Sequence, residues 1–201
     1  MTEFLYPFLD RAESDLPAVL ADVRASTGQK GADVIALRRG IDLDEVIACG
    51  TAIRERLDRG GRVLAFGNGG SATDAQDVVR DLLDLGRAAV ALTADVATLT
   101  AVGNDVGFEN VFARQLIPLA RPGDVALAIS TSGSSPNVVA GLEHVHRTGL
   151  LTCAITGSDG GRLAELPWLD HLFVARSDYV PRLQEAHATI YHLLLEVVGP
   201  R

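Results

Sequence analysis

Five of the six residues at 130–135, Ser-Thr-Ser-Gly-Ser-Ser, carry a hydroxyl, and they follow an apolar run ending at Ile129. Pro136 comes next, and an apolar pattern resumes after it. This is the signature of a turn from a buried strand into a helix, with proline in the first helical turn. Free N–H groups at a helix N-terminus form an anion site, and the macrodipole favours negative charge there. Hydroxyls of Ser130, Ser132 and Ser135, with Thr131 beside them, add donors. Such a turn can hold a phosphate without any basic residue. The plainer alternative is a polar turn with Ser135 as the helix cap. One serine would need no more explanation than that; five hydroxyl residues do.

A second turn stands at 67–72, Gly-Asn-Gly-Gly-Ser-Ala, also between an apolar run and a helical pattern. It fits G-x-G-x-x-G/A, so a dinucleotide site is an alternative. Against it, the acidic partner of the ribose is due about 20 residues on, at the end of the next strand, whereas Asp95 is 28 residues past Gly67. The turn also lacks the lysine of a P-loop. No nucleotide cofactor is expected. Imine chemistry is disfavoured too, because Lys30 is the sole lysine and sits in a polar stretch, while a Schiff base needs a desolvated lysine in a pocket.

The elements that must hold these turns alternate along the chain. Short apolar runs at 62–67, 88–93, 124–129, 150–156 and 171–175 predict strands. Helical patterns lie at 71–85, about 96–119, 136–148 and 160–166, and a long final helix covers about 181–198. Strands alternating with helices predict an α/β fold, a parallel five-stranded sheet covered on both faces in three layers. Ahead of it, residues 2–24 read as a helix with Phe4, Leu5, Phe8, Leu9, Leu16, Val19 and Leu20 on its apolar stripe. A polar linker at 25–40 and a helix at 41–59 follow. Residues 1–60 are therefore expected to form a helical appendage on the sheet or on a partner subunit, with 61–201 as the main unit. In such folds ligands bind beyond the carboxyl ends of the strands, where both turns lie.

The chain has 201 residues, a net charge of −8 and 47% hydrophobic residues. The acidic balance argues against nucleic-acid and anionic-membrane partners, which need a basic face. No signal peptide or membrane span is legible. Cys49 and Cys153 lie far apart in sequence in apolar surroundings, which reads as buried free thiols and a cytoplasmic location. His144, His146 and His171 show no partner spacing and read as surface or edge residues.

Taken together, the two turns resemble the sugar isomerase (SIS) domain, specifically its phosphoheptose isomerase branch. The segments at 99–116, 121–133, 154–166 and 182–196 are similar to that branch in order and spacing. The resemblance implies a flavodoxin-like sheet and a homotetramer with sites between subunits. It implies a phosphosugar held by Ser130, Thr131, Ser132 and Ser135, and a sugar site lined by Asn68, Gly69, Ser71, Asp95, Asn104 and Gln184. It also implies aldose–ketose isomerisation through an enediol, sedoheptulose 7-phosphate being the implied substrate.

The branch usually places His and, four residues later, Glu on the helix after the first turn, and Gln and His on the last helix. Those four can bind zinc, and the Glu and last-helix His are its acid–base pair. Gln184 and His192 match, but Asp77 and Asp81 stand at the His and Glu positions. Their i, i+4 spacing puts both carboxylates on one helix face. Asp81 is then the expected base and His192 the acid. Asp77, Asp81, Gln184 and His192 are the candidate metal ligands, for zinc or, with three oxygens, a harder divalent ion. The same departures fit an alternative, a non-catalytic SIS-domain phosphosugar sensor or interaction scaffold. His187, five residues before His192, points about 140° away round the helix and cannot easily face the same site.

Overall fold

Alternate residues of each central strand face opposite sides of one sheet, and that period of two builds the two halves of the core. A computed structural model describes residues 16–201; Phe4, Leu5, Phe8 and Leu9 lie outside them. The strands are β1 (Val63–Gly67), β2 (Ala89–Ala91), β3 (Val125–Ser130), β4 (Leu151–Gly157) and β5 (His171–Ala175). They form one parallel sheet in the order β2-β1-β3-β4-β5. Among the described residues the helices are α1 (Leu16–Arg39), α2 (Leu43–Asp58), α3 (Gly70–Asp84), α4 (Val96–Asp105), α5 (Val111–Leu119), α6 (Pro136–His146), α7 (Gly161–Ala164) and α8 (Val180–Val198).

On one face Val125, Leu127 and Ile129 of β3 pack with Ile53 of α2, Val78 of α3 and Ile190 of α8. On the other, Ala126 and Ala128 pack with Phe112 of α5 and Leu142 of α6. The α/β sandwich read from the alternating pattern is the observed fold. Its strand order places the switch point between β1 and β3: α3 leaves β1 over one face, and α6 leaves β3 over the other. The crevice outside the carboxyl ends of these two strands is where such a sheet takes a ligand.

Two elements differ from the sequence reading. The stretch 25–40 is not a linker but the second half of α1, which runs unbroken through Gly28, Lys30 and Gly31. Glycine lowers helix propensity by roughly 1 kcal/mol, and here the C-terminal turns of α1 are held by tertiary contact. Leu37 packs against Ala175, Leu183 and Ala186, and Arg38 Nε donates to Thr189 Oγ1 at 3.0 Å. The helical pattern at 96–119 is also not one helix. Gly107 at φ 108 ends α4, and a short 3-10 turn (Phe108–Asn110) precedes α5. Cys49 and Cys153, distant in sequence, meet inside the core with Sγ atoms 3.7 Å apart as free thiols.

Candidate active site

The two polar turns are brought together at the carboxyl edge, because β1 and β3 are neighbours in the sheet. Asn68 and Asn137 lock them to each other through two amide bonds: Asn68 Nδ2 donates to Asn137 Oδ1 at 2.8 Å, and Asn137 Nδ2 donates to Asn68 Oδ1 at 2.9 Å. Asn137 is buried in the first turn of α6 and was not singled out from the sequence. Its position just after Pro136 was the available signal. Ser71 is buried at the start of α3, and its N–H donates to Asn68 O at 3.0 Å. Gly69, at φ 56, forms the exposed tip of that turn.

In the serine turn, Ser135 makes no side-chain cap bond to α6. Its hydroxyl lies 3.3 Å from that of Ser130, which is buried at the end of β3. In the first turn of α6 Pro136 has no N–H, and Val138 N and Val139 N each donate to Ser135 O at 3.1 Å, which leaves the Asn137 N–H for another acceptor. Ser132 Oγ accepts from Ser134 N at 3.3 Å, and Thr131 is half-buried beside it. Ser134 faces the other way, accepting from Arg162 N at 3.1 Å. That bond, with Leu163 N donating to Gly133 O at 2.9 Å, ties the turn to α7. An open cavity of about 620 Å³ lies alongside, lined by Ser132, Ser134, Ser158, Asp159, Gly161 and Asp178.

The second constellation stands elsewhere. His192 Nε2 on α8 approaches Asp81 Oδ2 on α3 at 3.6 Å. Arg80 Nη2 donates to the other oxygen of Asp81 at 2.7 Å. Gln184, at the start of α8, lies against Gly70, where any Cβ would overlap its amide. The two helices therefore run side by side in the same direction. Asp81 is eleven residues beyond Gly70, about 16 Å of helix rise, so Asp81 and His192 lie far along α3 and α8 from the serine turn of the same chain.

The implied metal set does not fit this geometry. Gln184 is turned onto Gly70, away from the Asp81–His192 end, and Asp77 is exposed. Among the described residues no three His, Cys, Asp or Glu side chains stand close enough to grip an ion. The four candidate ligands do not close on a cation within one chain. Asp95 caps α4 instead of standing free. Its carboxylate accepts from Thr98 N at 3.1 Å and Thr98 Oγ1 at 2.5 Å, bonds that lower its pKa. Asn104 is exposed at the far end of the same helix, about 13 Å of rise away, and donates to Asp105 at 2.7 Å.

Two titratable groups that the sequence reading left aside are the most perturbed of this region. Asp74 completes an i, i+3, i+7 stripe with Asp77 and Asp81, a spacing that was there to be seen. One of its oxygens is buried without a partner, and burial, then Asp77, push its pKa up to about 6. Burial, then Asp74, Asp77 and Asp81, push the Tyr191 phenol of α8 up to about 12. All three aspartates thus lie close enough to Tyr191 to disfavour its ionised form. On α8, burial drives His187 down to about 4, against a smaller opposing pull from the Thr156 backbone.

The His187 and Asp74 shifts act on stability with opposite signs. A histidine neutral in the fold to about pH 4, but titrating near 6.5 when unfolded, withholds stability as pH falls through that window, roughly 3 kcal/mol in all. Asp74 does the reverse: its contribution is present below about pH 4 and is lost as pH rises towards 6. It is half-buried, so solvent screening cuts its share to about 1 kcal/mol. Stability in metal-free buffer is therefore expected to rise from about pH 4.5 to pH 7. Asp74→Asn should steepen that rise and His187→Phe should abolish it, as read by urea unfolding at each pH. A flat profile for the unsubstituted protein would contradict this assignment.

Comparison with known proteins places these features in context. The SIS domain family matches residues 40–157. The phosphoheptose isomerase of Aquifex aeolicus is 43% identical over 164 residues, covering 79% of this chain and 82% of its own. That of Geotalea daltonii is 44% identical over 155 residues, covering 74% and 80%. Among solved structures, phosphoheptose isomerase GmhA from Neisseria gonorrhoeae superposes with a TM-score of 0.84 at 34% identity, covering 90% of this chain and 99% of that one.

Proposed function

This chain belongs to the SIS domain family, and from that premise we propose that it is a phosphosugar aldose–ketose isomerase acting on sedoheptulose 7-phosphate or a close analogue. The relatives of this length and identity are phosphoheptose isomerases. The observation that carries the reading here is the Asp81–His192 pair, a carboxylate and an imidazole 3.6 Å apart on facing helices. Isomerisation through an enediol needs those two groups, one to take a carbon-bound proton and one to protonate the carbonyl oxygen.

In the proposed reaction Asp81 removes a proton from C1 of the ketose while His192 donates one to the oxygen at C2. The resulting enediol collapses when a proton returns to C2 and the C1 hydroxyl gives up its own. Ser130, Thr131, Ser132, Ser135 and the N-terminus of α6 hold the phosphate. The turn carrying Asn68, Gly69 and Ser71 borders the sugar, with Asp95, Asn104 and Gln184 as further contacts. Asn68, engaged with Asn137, positions the turn as well as lining it.

The distance along α3 from Gly70, at the carboxyl edge where the two turns meet, to Asp81 supports an assembly in which one copy presents the phosphate site and another the acid–base pair. Exposed apolar side chains favour such an assembly, among them Leu16, Val19, Leu20 and Val23 on α1 and Phe108 after α4. A homotetramer is the form proposed. Among the described residues no helix is long and apolar enough to cross a membrane. The adjacent but unlinked Cys49 and Cys153 support a cytoplasmic setting. A divalent ion, zinc or a harder one, remains part of the proposal only as an addition whose effect is to be measured; no step above is routed through it.

The deciding experiment follows proton exchange at C1 of sedoheptulose 7-phosphate in D₂O by NMR, with and without added Zn²⁺ or Mn²⁺. Enzyme-dependent exchange is expected. No exchange under any condition, with the phosphosugar still protecting the fold against heat, would replace the isomerase with a sensor.

A further inference from the structure

Beneath the serine turn three buried polar atoms have no hydrogen-bond partner: both ring nitrogens of His187 and Oγ1 of Thr156. Both residues are fully buried. Unpaired polar atoms in an interior are destabilising and scarce in native proteins. Bulk alone would be supplied better by apolar side chains, so three such atoms in one region call for a specific role.

Their position suggests which. Thr156 is the penultimate residue of β4 and pairs with Ser130 in the parallel ladder. A Cβ built on Gly133 would come within 2.6 Å of Thr156 Oγ1, so the hydroxyl lies directly against the bend of the serine turn. His187 reaches the same residue from α8: the Thr156 backbone lies near enough to its ring to raise its pKa a little, yet outside hydrogen-bond geometry. The neutral imidazole has one donor and one acceptor nitrogen, and the threonine hydroxyl can give and accept. His187, Thr156 and Gly133 thus lie in succession from α8 through the end of β4 to the turn that frames the proposed phosphate site.

We propose that His187 is a positioning residue for that turn: it braces β4 at Thr156, and the Thr156 hydroxyl seats Gly133 so that Ser130, Ser132 and the start of α6 converge on the phosphate. Neither residue touches the ligand. The proposal rests on the phosphosugar reading above.

The test is binding of inorganic phosphate by calorimetry, with steady-state kinetics and melting temperatures alongside, on the full chain. His187→Phe and Thr156→Val are each expected to raise the phosphate Kd and the KM about tenfold, because even a small displacement of donors that must converge on one group is costly. The expected kcat stays within about twofold. Thr156→Ser, which keeps the hydroxyl, should recover most of the affinity, and the double variant should bind about as well as either single one. A merely structural role would lower the melting temperature and leave Kd unchanged, and that result overturns the proposal. So does a folded His187→Phe protein that keeps its affinity while Thr156→Val loses it. If His187→Phe does not fold, the comparison of Thr156→Val with Thr156→Ser decides: equal affinities sink the idea. Failure of the unsubstituted protein to bind phosphate or phosphosugar would remove the functional reading and this proposal together, and would be seen before any substitution is made.

Discussion

Asp81→Asn is expected to slow C1 proton exchange about a thousandfold while the Kd for inorganic phosphate stays within about twofold. General-base catalysis contributes roughly 10²–10⁴ in rate, and the amide keeps the volume of the carboxylate while losing its basicity. The ion pair to Arg80 is lost as well, but Arg80 is mostly exposed, and surface pairs of this kind contribute little to stability. The variant should therefore fold and bind normally. His192→Gln is expected to lose activity on a similar scale, since the amide can hydrogen-bond the carbonyl oxygen but cannot deliver a proton to it. The double variant should be little slower than either single one, because the two groups act in one step. Exchange by Asp81→Asn at a tenth or more of the original rate would remove Asp81 as the base. Asp74, the next carboxylate on the stripe, would then be the group to substitute. The split between exchange rate and phosphate affinity also follows from the proposed roles, Asp81 acting at the reacting carbon and the serine turn at the phosphate.

Much of the framework behind this argument was legible in the residues. Each predicted strand lies within a residue or two of its observed bounds, because an apolar run of five to seven residues between glycines and charges has few other solutions. The serine turn is legible because its composition exceeds what a helix cap needs, and Ser135, at the N-cap position, makes no side-chain cap bond. What the sequence hid were relations between distant segments. Nothing local says that Asn137 meets Asn68 or that Cys49 meets Cys153; both meetings follow from the strand order. The helical course of 25–40 was hidden for a related reason. Gly28, Gly31 and their polar neighbours have weak helix propensity, and tertiary contacts of Leu37 and Arg38 secure the end of the helix. Asp74 is not legible from the family pattern, which bears only on the positions of Asp77 and Asp81. His187 was set aside as unable to share a site with His192, and the structure does place the two differently: one fully buried, the other mostly exposed at the far seam.

Gly133→Ala is expected to abolish measurable phosphate binding, a loss of at least a hundredfold, and to lower stability by about 2–4 kcal/mol. Gly133 sits at φ 60, a conformation that costs an L-residue roughly 1 kcal/mol or more. The added methyl would also overlap the backbone oxygen of Gly160. A flexible side chain could swing aside, but a backbone carbonyl at the entrance to α7 cannot move without carrying the loop with it. That loop is already anchored to the serine turn, through Leu163 N on Gly133 O and Arg162 N on Ser134 Oγ. Relief of the overlap must therefore displace Ser132 and Ser134 or break both bonds. Displacement by ~1 Å is enough to cost on the order of a hundredfold where donors must converge on one group. The check is phosphate calorimetry beside thermal melting, with Gly69→Ala as a comparison. Gly69 also has positive φ, but open space surrounds its Cβ position, so that substitution carries the strain without the overlap. It should cost about 1–3 kcal/mol of stability and leave phosphate affinity within about threefold. Equal losses of affinity in the two variants would mean that backbone strain alone, and not the packing of the serine turn against α7, governs the phosphate site.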